Sequence, residues 1–364
     1  MIRSLHAAFL GLLALAVACG QTSTSSGNGV DPTAVETTVA NATSAKTPAS
    51  TTSTSSAPPV PAELAALLKS TEQCEIQENG LLHPCPPDRA LEKYVESHAS
   101  SETFDACLQA LGDVASTTRV LAASCLAKYT STARQERKAF SPRLFDAVLP
   151  AVEKEKDPKA RGALARALDD VRAVDAKREK EVLAVLEELD AAKEGVATAE
   201  LLHTFYWFGM TEPVPKGAID FALLQTTATS TELRHTSYDL LSYANDRAEQ
   251  ACPLLGKAVV DDDAEWSEAL GALVSLECDK EVSVVNPSLV KRLEKAAATR
   301  DGWEDRLGSW GELRGYVKAQ MVGKTERDAI AAAADKVARG GNVIASEKDI
   351  AKTLASEARG RATQ

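Results

Sequence analysis

The chain has 364 residues, a formal charge of −11, 26 % charged residues and 5 % aromatic residues. Roughly 300 residues remain for folding once the ends are set aside, enough for one large domain or an extended array. Few aromatics beside abundant Ala, Leu, Glu and Lys argue against a sandwich or barrel and for helices with thin, Ala-rich seams, and the acidic balance argues against nucleic acid as a partner.

In chain order, the first segment is a leader and not structure. Arg3 supplies its positive region, and Ala7 to Val17 is apolar but too short to span a bilayer as a mature anchor. It ends in Leu15-Ala16-Val17-Ala18-Cys19-Gly20. This run resembles the lipobox of bacterial lipoproteins, in which small residues precede a Cys that becomes the lipidated N-terminus. The family prefers Leu three residues before the Cys; here Ala16 holds that place and Leu15 stands one earlier. Ordinary signal-peptidase cleavage near Ala18 is the alternative. The resemblance implies a signal peptide over 1–18 and a Cys19 carrying a diacylglycerol thioether and an N-linked acyl chain such as palmitate. Several acyl chains make a stable anchor, at about 0.8 kcal/mol per buried CH₂. Gly20, where inner-membrane retention would ask for Asp, implies the outer membrane, facing the periplasm or the cell surface.

From Gln21 to Pro61 the chain is almost wholly Ser, Thr, Ala, Gly, Asn and Pro. Such a segment buries too little apolar surface to offset its ordering entropy, so residues 19–61 are expected to be a disordered tether.

Past Pro61, apolar residues recur at three- and four-residue spacing. The pattern predicts helices near 62–70, 87–99, 102–113, 117–129, 142–155, 158–173, 177–192, 196–209, 216–227, 231–244, 247–260, 264–277, 287–299, 302–320, 325–339 and 346–359. No strand is expected: Val282 to Val285 is the one β-branched run, and Pro287 is expected to end it. The strongest segment is Asp157 to Leu168, where Asp157 can cap a helix that Pro158 opens. Leu164, Ala165 and Leu168 share its apolar face, with Arg161 beside it. With Arg161 as register zero, positions +4 and +7 are Ala165 and Leu168. Arg119 repeats this with Ala123 and Leu126, Thr198 with Leu202 and Phe205, and Arg234 with Tyr238 and Leu241. Trp266 repeats it with Leu270 and Leu273, and Arg306 with Trp310 and Leu313. A Leu- and Val-rich helix precedes each copy.

Helix pairs with a period near 40 residues, Asp-Pro entering the second helix and Arg beside its seam, resemble HEAT repeats over roughly residues 102–320. The resemblance implies an all-α solenoid of antiparallel hairpins in a right-handed superhelix. First helices would line its convex side and second helices its concave side. Residues 62–360 would then be one helical-repeat domain with caps at about 62–99 and 325–359. Thr198 and Trp266 depart from the Arg position, which breaks any continuous Asp/Arg ladder. An irregular helical bundle is the alternative.

Six cysteines follow Cys19: Cys74, Cys85, Cys107, Cys125, Cys252 and Cys278. An even count in an exported chain suggests disulfides with 15 possible connectivities. Cys107 and Cys125 flank the turn near Ala115 almost symmetrically, Cys252 and Cys278 flank the Asp261–Asp263 turn, and Cys74 and Cys85 bracket a Gly/Pro-containing loop. Sequential pairing is therefore expected. No C-x-x-C is present and no His stands at ligand spacing from a Cys pair, so neither metal nor cofactor is expected.

Catalytic motifs are lacking: there is no G-x-S-x-G, H-E-x-x-H or phosphate-cradling loop. Asp261-Asp262-Asp263 lacks the rest of an EF-hand loop and reads as helix capping. His203 and His235 fall on neighbouring second helices and read as ordinary surface or half-buried histidines. The run Phe205-Tyr206-Trp207-Phe208 is less ordinary, because one helical face cannot bury four successive side chains. Tyr206, Trp207, Trp266 and Trp303 are the candidate binding residues, a strip of rigid anchors for a protein or peptide partner. The expected role is a membrane-anchored binding scaffold, with Cys19 holding the bilayer. A purely structural spacer is the second reading, and an enzyme or carrier with a site inside the array the last.

Overall fold

Apolar residues at three- and four-residue spacing give each segment one stripe that must be buried, and in an Ala- and Leu-rich chain that stripe forms on helices. The computed structural model describes residues 60–132, 137–171, 176–209, 213–261, 265–298, 307–318, 323–340 and 345–360. The leader over 1–18, Cys19, the linker as far as residue 59, Asp262, Asp263 and Trp303 lie outside the described residues. The described part is all-α. The helices are α1 (Ala62–Lys69), α2 (Pro86–Ser97), α3 (Ser101–Ala110), α4 (Ser116–Thr132), α5 (Arg137–Lys154), α6 (Pro158–Val171), α7 (Glu179–Ala191), α8 (Gly195–His203), α9 (Tyr206–Gly209), α10 (Lys216–Gln225), α11 (Thr231–Leu241), α12 (Ala248–Val260), α13 (Trp266–Ser275), α14 (Val282–Ala298), α15 (Leu307–Lys318), α16 (Lys324–Arg339) and α17 (Ala345–Ala358). One isolated antiparallel bridge, Ile76 with Leu82, is the extended pairing among the described residues.

Local signals start the helices where expected. Asp157 Oδ1 accepts from the Lys159 amide at 3.0 Å, so it caps α6 ahead of Pro158. Ser100 caps α3 through the Thr103 amide, and Ser230 caps α11 through Leu233. Two prolines depart from expectation. Pro142 lies inside α5, which begins at Arg137, and Pro287 lies inside α14, whose first turn is the β-branched run Val282 to Val285. That run is helical because its burial need decides: Val285 is fully buried beside Leu289, four residues on.

The register marks the core. Ala123, Leu126, Ala165, Leu168, Leu202, Phe205, Tyr238, Leu241, Leu270, Leu273 and Leu313 are all buried. Packing runs from neighbour to neighbour. Hairpin partners meet as α3 with α4, α5 with α6, α7 with α8, α10 with α11, α12 with α13 and α16 with α17. The second helices form a continuous ladder, α2–α4–α6–α8–α11–α13–α15–α17, each rung packed on the next. First helices touch in turn where α7 meets α10, α12 meets α14, and α14 meets α16. Each hairpin thus completes its apolar core on its neighbours.

Polar pairs repeat at the same interval. Arg119 donates from Nε and Nη2 to Glu155 at 2.8 and 2.5 Å, and to the carbonyls of Asp113 and Val114. Arg161 donates to the Glu155 carbonyl and, at 2.8 Å, to Glu194. Arg234 donates to the carbonyls of Ala228 and Thr229. Each of these arginines therefore satisfies the turn five or six residues behind it, and Arg119 and Arg161 reach carboxylates of the next hairpin. Where the register holds Thr198, its hydroxyl takes the Glu194 carbonyl instead. A second series links first helices: Arg143 pairs with Asp105, Arg178 with Asp146, and Arg247 with Asp220.

All three disulfides follow the sequential pairing: Cys74–Cys85, Cys107–Cys125 and Cys252–Cys278, with Cα separations of 4.2, 6.1 and 5.5 Å. The first closes a loop that reaches far beyond its own repeat. Ile76 packs with Val120, Ala160 and Ala163, Glu78 pairs with Lys159, and the Asn79 carbonyl accepts from Arg166. Gly80, at φ 74°, sits against α6 so closely that a Cβ would lie 2.8 Å from the Ala163 nitrogen. At the other end, Glu357 of α17 is buried beneath Arg314, which holds it through two bonds of 2.9 and 2.7 Å.

Candidate functional site

The ladder of second helices carries two clusters in which polar and aromatic groups from successive repeats meet. The first forms where the 196–209 segment breaks. It was expected as one helix, but α8 ends at His203, Thr204 turns back to bond the Leu201 carbonyl, and the short α9 follows. The break resolves the four-aromatic problem. Phe205 goes fully into the core, while Tyr206 and Trp207 are half-buried. The side chain of Phe208 lies outside the described residues.

Asp169 on α6 anchors this cluster. Its Oδ1 lies 2.7 Å from His203 Nδ1 and accepts from Trp207 Nε1 at 2.9 Å. The Tyr206 ring stacks on His203, with centroids 5.1 Å apart, and meets Tyr243 edge-on at 5.5 Å. Tyr243 lies in the turn just past α11, so the aromatic group spans two hairpins. Burial works against charging His203, but the hydrogen bond and charge of Asp169 outweigh it and raise the imidazole pKa. Beside this cluster, Arg166 pairs with Glu200 at 2.7 Å across α6 and α8.

The second cluster joins α11 to α13. His235 Nδ1 stands 2.7 Å from Glu265 Oε2 and 3.8 Å from Glu268 Oε1, and its Nε2 stands 3.3 Å from Asp239 Oδ2. Ser267 donates to the other Glu268 oxygen at 2.6 Å. Burial opposes the imidazolium here too, yet the bonds to Asp239 and Glu265 and the surrounding negative charge push His235 up to about 11. Burial raises the Glu268 carboxyl above its ordinary value, and Glu265 adds to this while His235 opposes it.

Of the residues read as anchors, Tyr206 and Trp207 come together. Trp266 does not join them. It opens α13 but is only 7 % exposed, and the Arg292 guanidinium lies 4.9 Å over its ring. The indole is taken up in packing between α13 and α14, so it is not an exposed anchor. Trp303 lies outside the described residues. His203 and His235 do sit on neighbouring second helices, each with its own carboxylates. The acids around His235 had a partial sequence signal: His235 and Asp239 are four apart on one helix, and Glu265 and Glu268 are three apart on the next.

No protein-family model matches the chain, and no curated protein matches it. Among solved structures, the chain is similar to the crystal structure of an engineered protein at 17 % identity and a TM-score of 0.43, over 81 % of this chain and 87 % of that one.

Proposed function

We propose that this protein is a lipid-anchored envelope scaffold of HEAT-like repeats that binds a protein or peptide along its ladder of second helices. The reading of the anchor rests on the lipobox-like run ending in Cys19 and on the Ser/Thr/Ala/Pro tether that follows. The binding role is carried by one observation, the half-buried aromatic group of Tyr206, Trp207 and Tyr243 around His203. Rigid aromatic side chains with polar tips give contact area at little entropic loss, which is what interfaces select. An array in which each hairpin contacts the next presents such groups over a long surface.

Two measurements test the two halves separately. In fractionated cells, wild-type chain should stay with the outer membrane and the Cys19→Ser chain should become soluble; equal membrane retention of both rejects the lipid anchor. A photo-crosslinking residue at position 207, activated in intact envelopes, should give a discrete adduct that Tyr206→Ala abolishes. An adduct pattern indifferent to Tyr206 rejects the aromatic group as the contact surface.

A further inference from the structure

The His235 cluster does something that packing does not require. Three carboxylates, Asp239 from the same helix and Glu265 and Glu268 from the next repeat, close on one imidazole. The group lies half-buried between two helices, where its polar atoms are partly withdrawn from water. Elsewhere between repeats the carboxylates meet arginines, as Glu155 meets Arg119 and Glu200 meets Arg166. Here a histidine, a metal-ligand type, faces the carboxylates.

We propose that His235, Glu265 and Glu268 bind a divalent transition-metal ion, of which zinc is the best match. One ligand atom from each of the three lies within 4.8 Å of the others. Zinc bonds of about 2.1 Å to nitrogen and oxygen place tetrahedral ligands roughly 3.4 Å from one another, so side-chain adjustments of about an ångström close the site. One imidazole and two carboxylates form a hard-to-borderline donor set that suits zinc or manganese, and the usual affinity order favours zinc. Glu265 and Glu268 stand at the start of α13, three apart, so a single helical turn aims both at α11. Two outer contacts hold the ligands: Ser267 donates to Glu268, and Asp239 faces the far ring nitrogen of His235 and fixes the tautomer that offers Nδ1.

In the bound form the Nδ1 lone pair takes the ion, while Nε2 keeps its proton toward Asp239. The carboxylates bind as anions and the metal is neither oxidised nor reduced. The ion staples α11 to α13.

The test is calorimetric titration of zinc chloride into the full chain with its disulfides intact, in a chelator-free buffer. Wild type should take up one zinc that His235→Ala and Glu268→Gln each weaken by tenfold or more. The near-isosteric Glu268→Gln keeps the question open to refutation should His235→Ala fail to fold. Zinc uptake equal in wild type and Glu268→Gln, or no uptake by wild type, overturns the proposal.

Discussion

Glu155 is the sharpest point at which to test the account of how the repeats are held. It sits in the turn between α5 and α6 with its side chain 2 % exposed, and four donors converge on it. Arg119 gives two bonds of 2.8 and 2.5 Å, and the amides of Lys156 and Asp157 give bonds of 2.8 and 3.1 Å. Burial would raise the carboxyl's pKa, but Arg119 and the two amides together hold it below the ordinary value. Glu155→Gln keeps the volume and removes the charge. Its amide group must then turn a donor toward either the guanidinium or the backbone amides, leaving at least one buried donor unmatched. Hydrogen bonds to charged groups contribute about 1.5–3 kcal/mol each, and breaking a buried pair removes about 3–5. Arg119 is partly solvated and keeps its carbonyl partners, so a net loss of about 2–4 kcal/mol is expected. For a domain of this size each kcal/mol lowers Tm by roughly 2 °C, so the shift is on the order of 4–8 °C. Thermal and urea unfolding under non-reducing conditions at neutral pH measure it. The sign with pH follows from linkage. The folded carboxyl ionises below its unfolded value, so its contribution is complete above the ordinary carboxylate range and is lost as pH falls through the folded pKa. Wild type and variant should therefore converge in acid. A loss below about 0.5 kcal/mol at neutral pH, or a gap that persists in acid, refutes the reasoning.

Two further outcomes follow from the geometry. Gly80→Ala combines a left-handed backbone with a Cβ forced onto the α6 backbone, so it should lower stability by about 1–3 kcal/mol and expose residues 75–84 to proteolysis; protease resistance equal to wild type counts against the close approach. Asp169→Asn should lower the His203 pKa, read by imidazole NMR. It should also remove about 1–2 kcal/mol of stability at pH values below the unfolded histidine's, a difference that disappears as pH climbs through His203's raised folded value. An unchanged His203 titration would show that Asp169 is not what raises it.

What could be read ahead of the structure was whatever depends on residues close in sequence. Helix positions, the Asp157 cap, the buried +4 and +7 register and the three disulfides are local, or join residues 11 to 26 apart across one turn. What escaped depends on landing places a repeat or more away. The Cys74–Cys85 loop looked like a stapled excursion, but its contacts are with α6, and the Asn79–Arg166 bond spans 87 residues. Glu265 and Glu268 resemble any solvated first turn until α11 sets His235 opposite them. Trp266 is covered for a related reason: Arg292, which lies over its ring, comes from the following helix. Pro287 misled because a proline six residues into a helix usually breaks it, and here the burial of Val285 and Leu289 holds the turn together.

A row in which each member leans mainly on the next is vulnerable from its ends, since a pull on the first helix could detach hairpins one after another, like a zip. The cystine-closed loop works against this. By fastening the front of the row to α6, it makes the opening hairpins come away together or not at all.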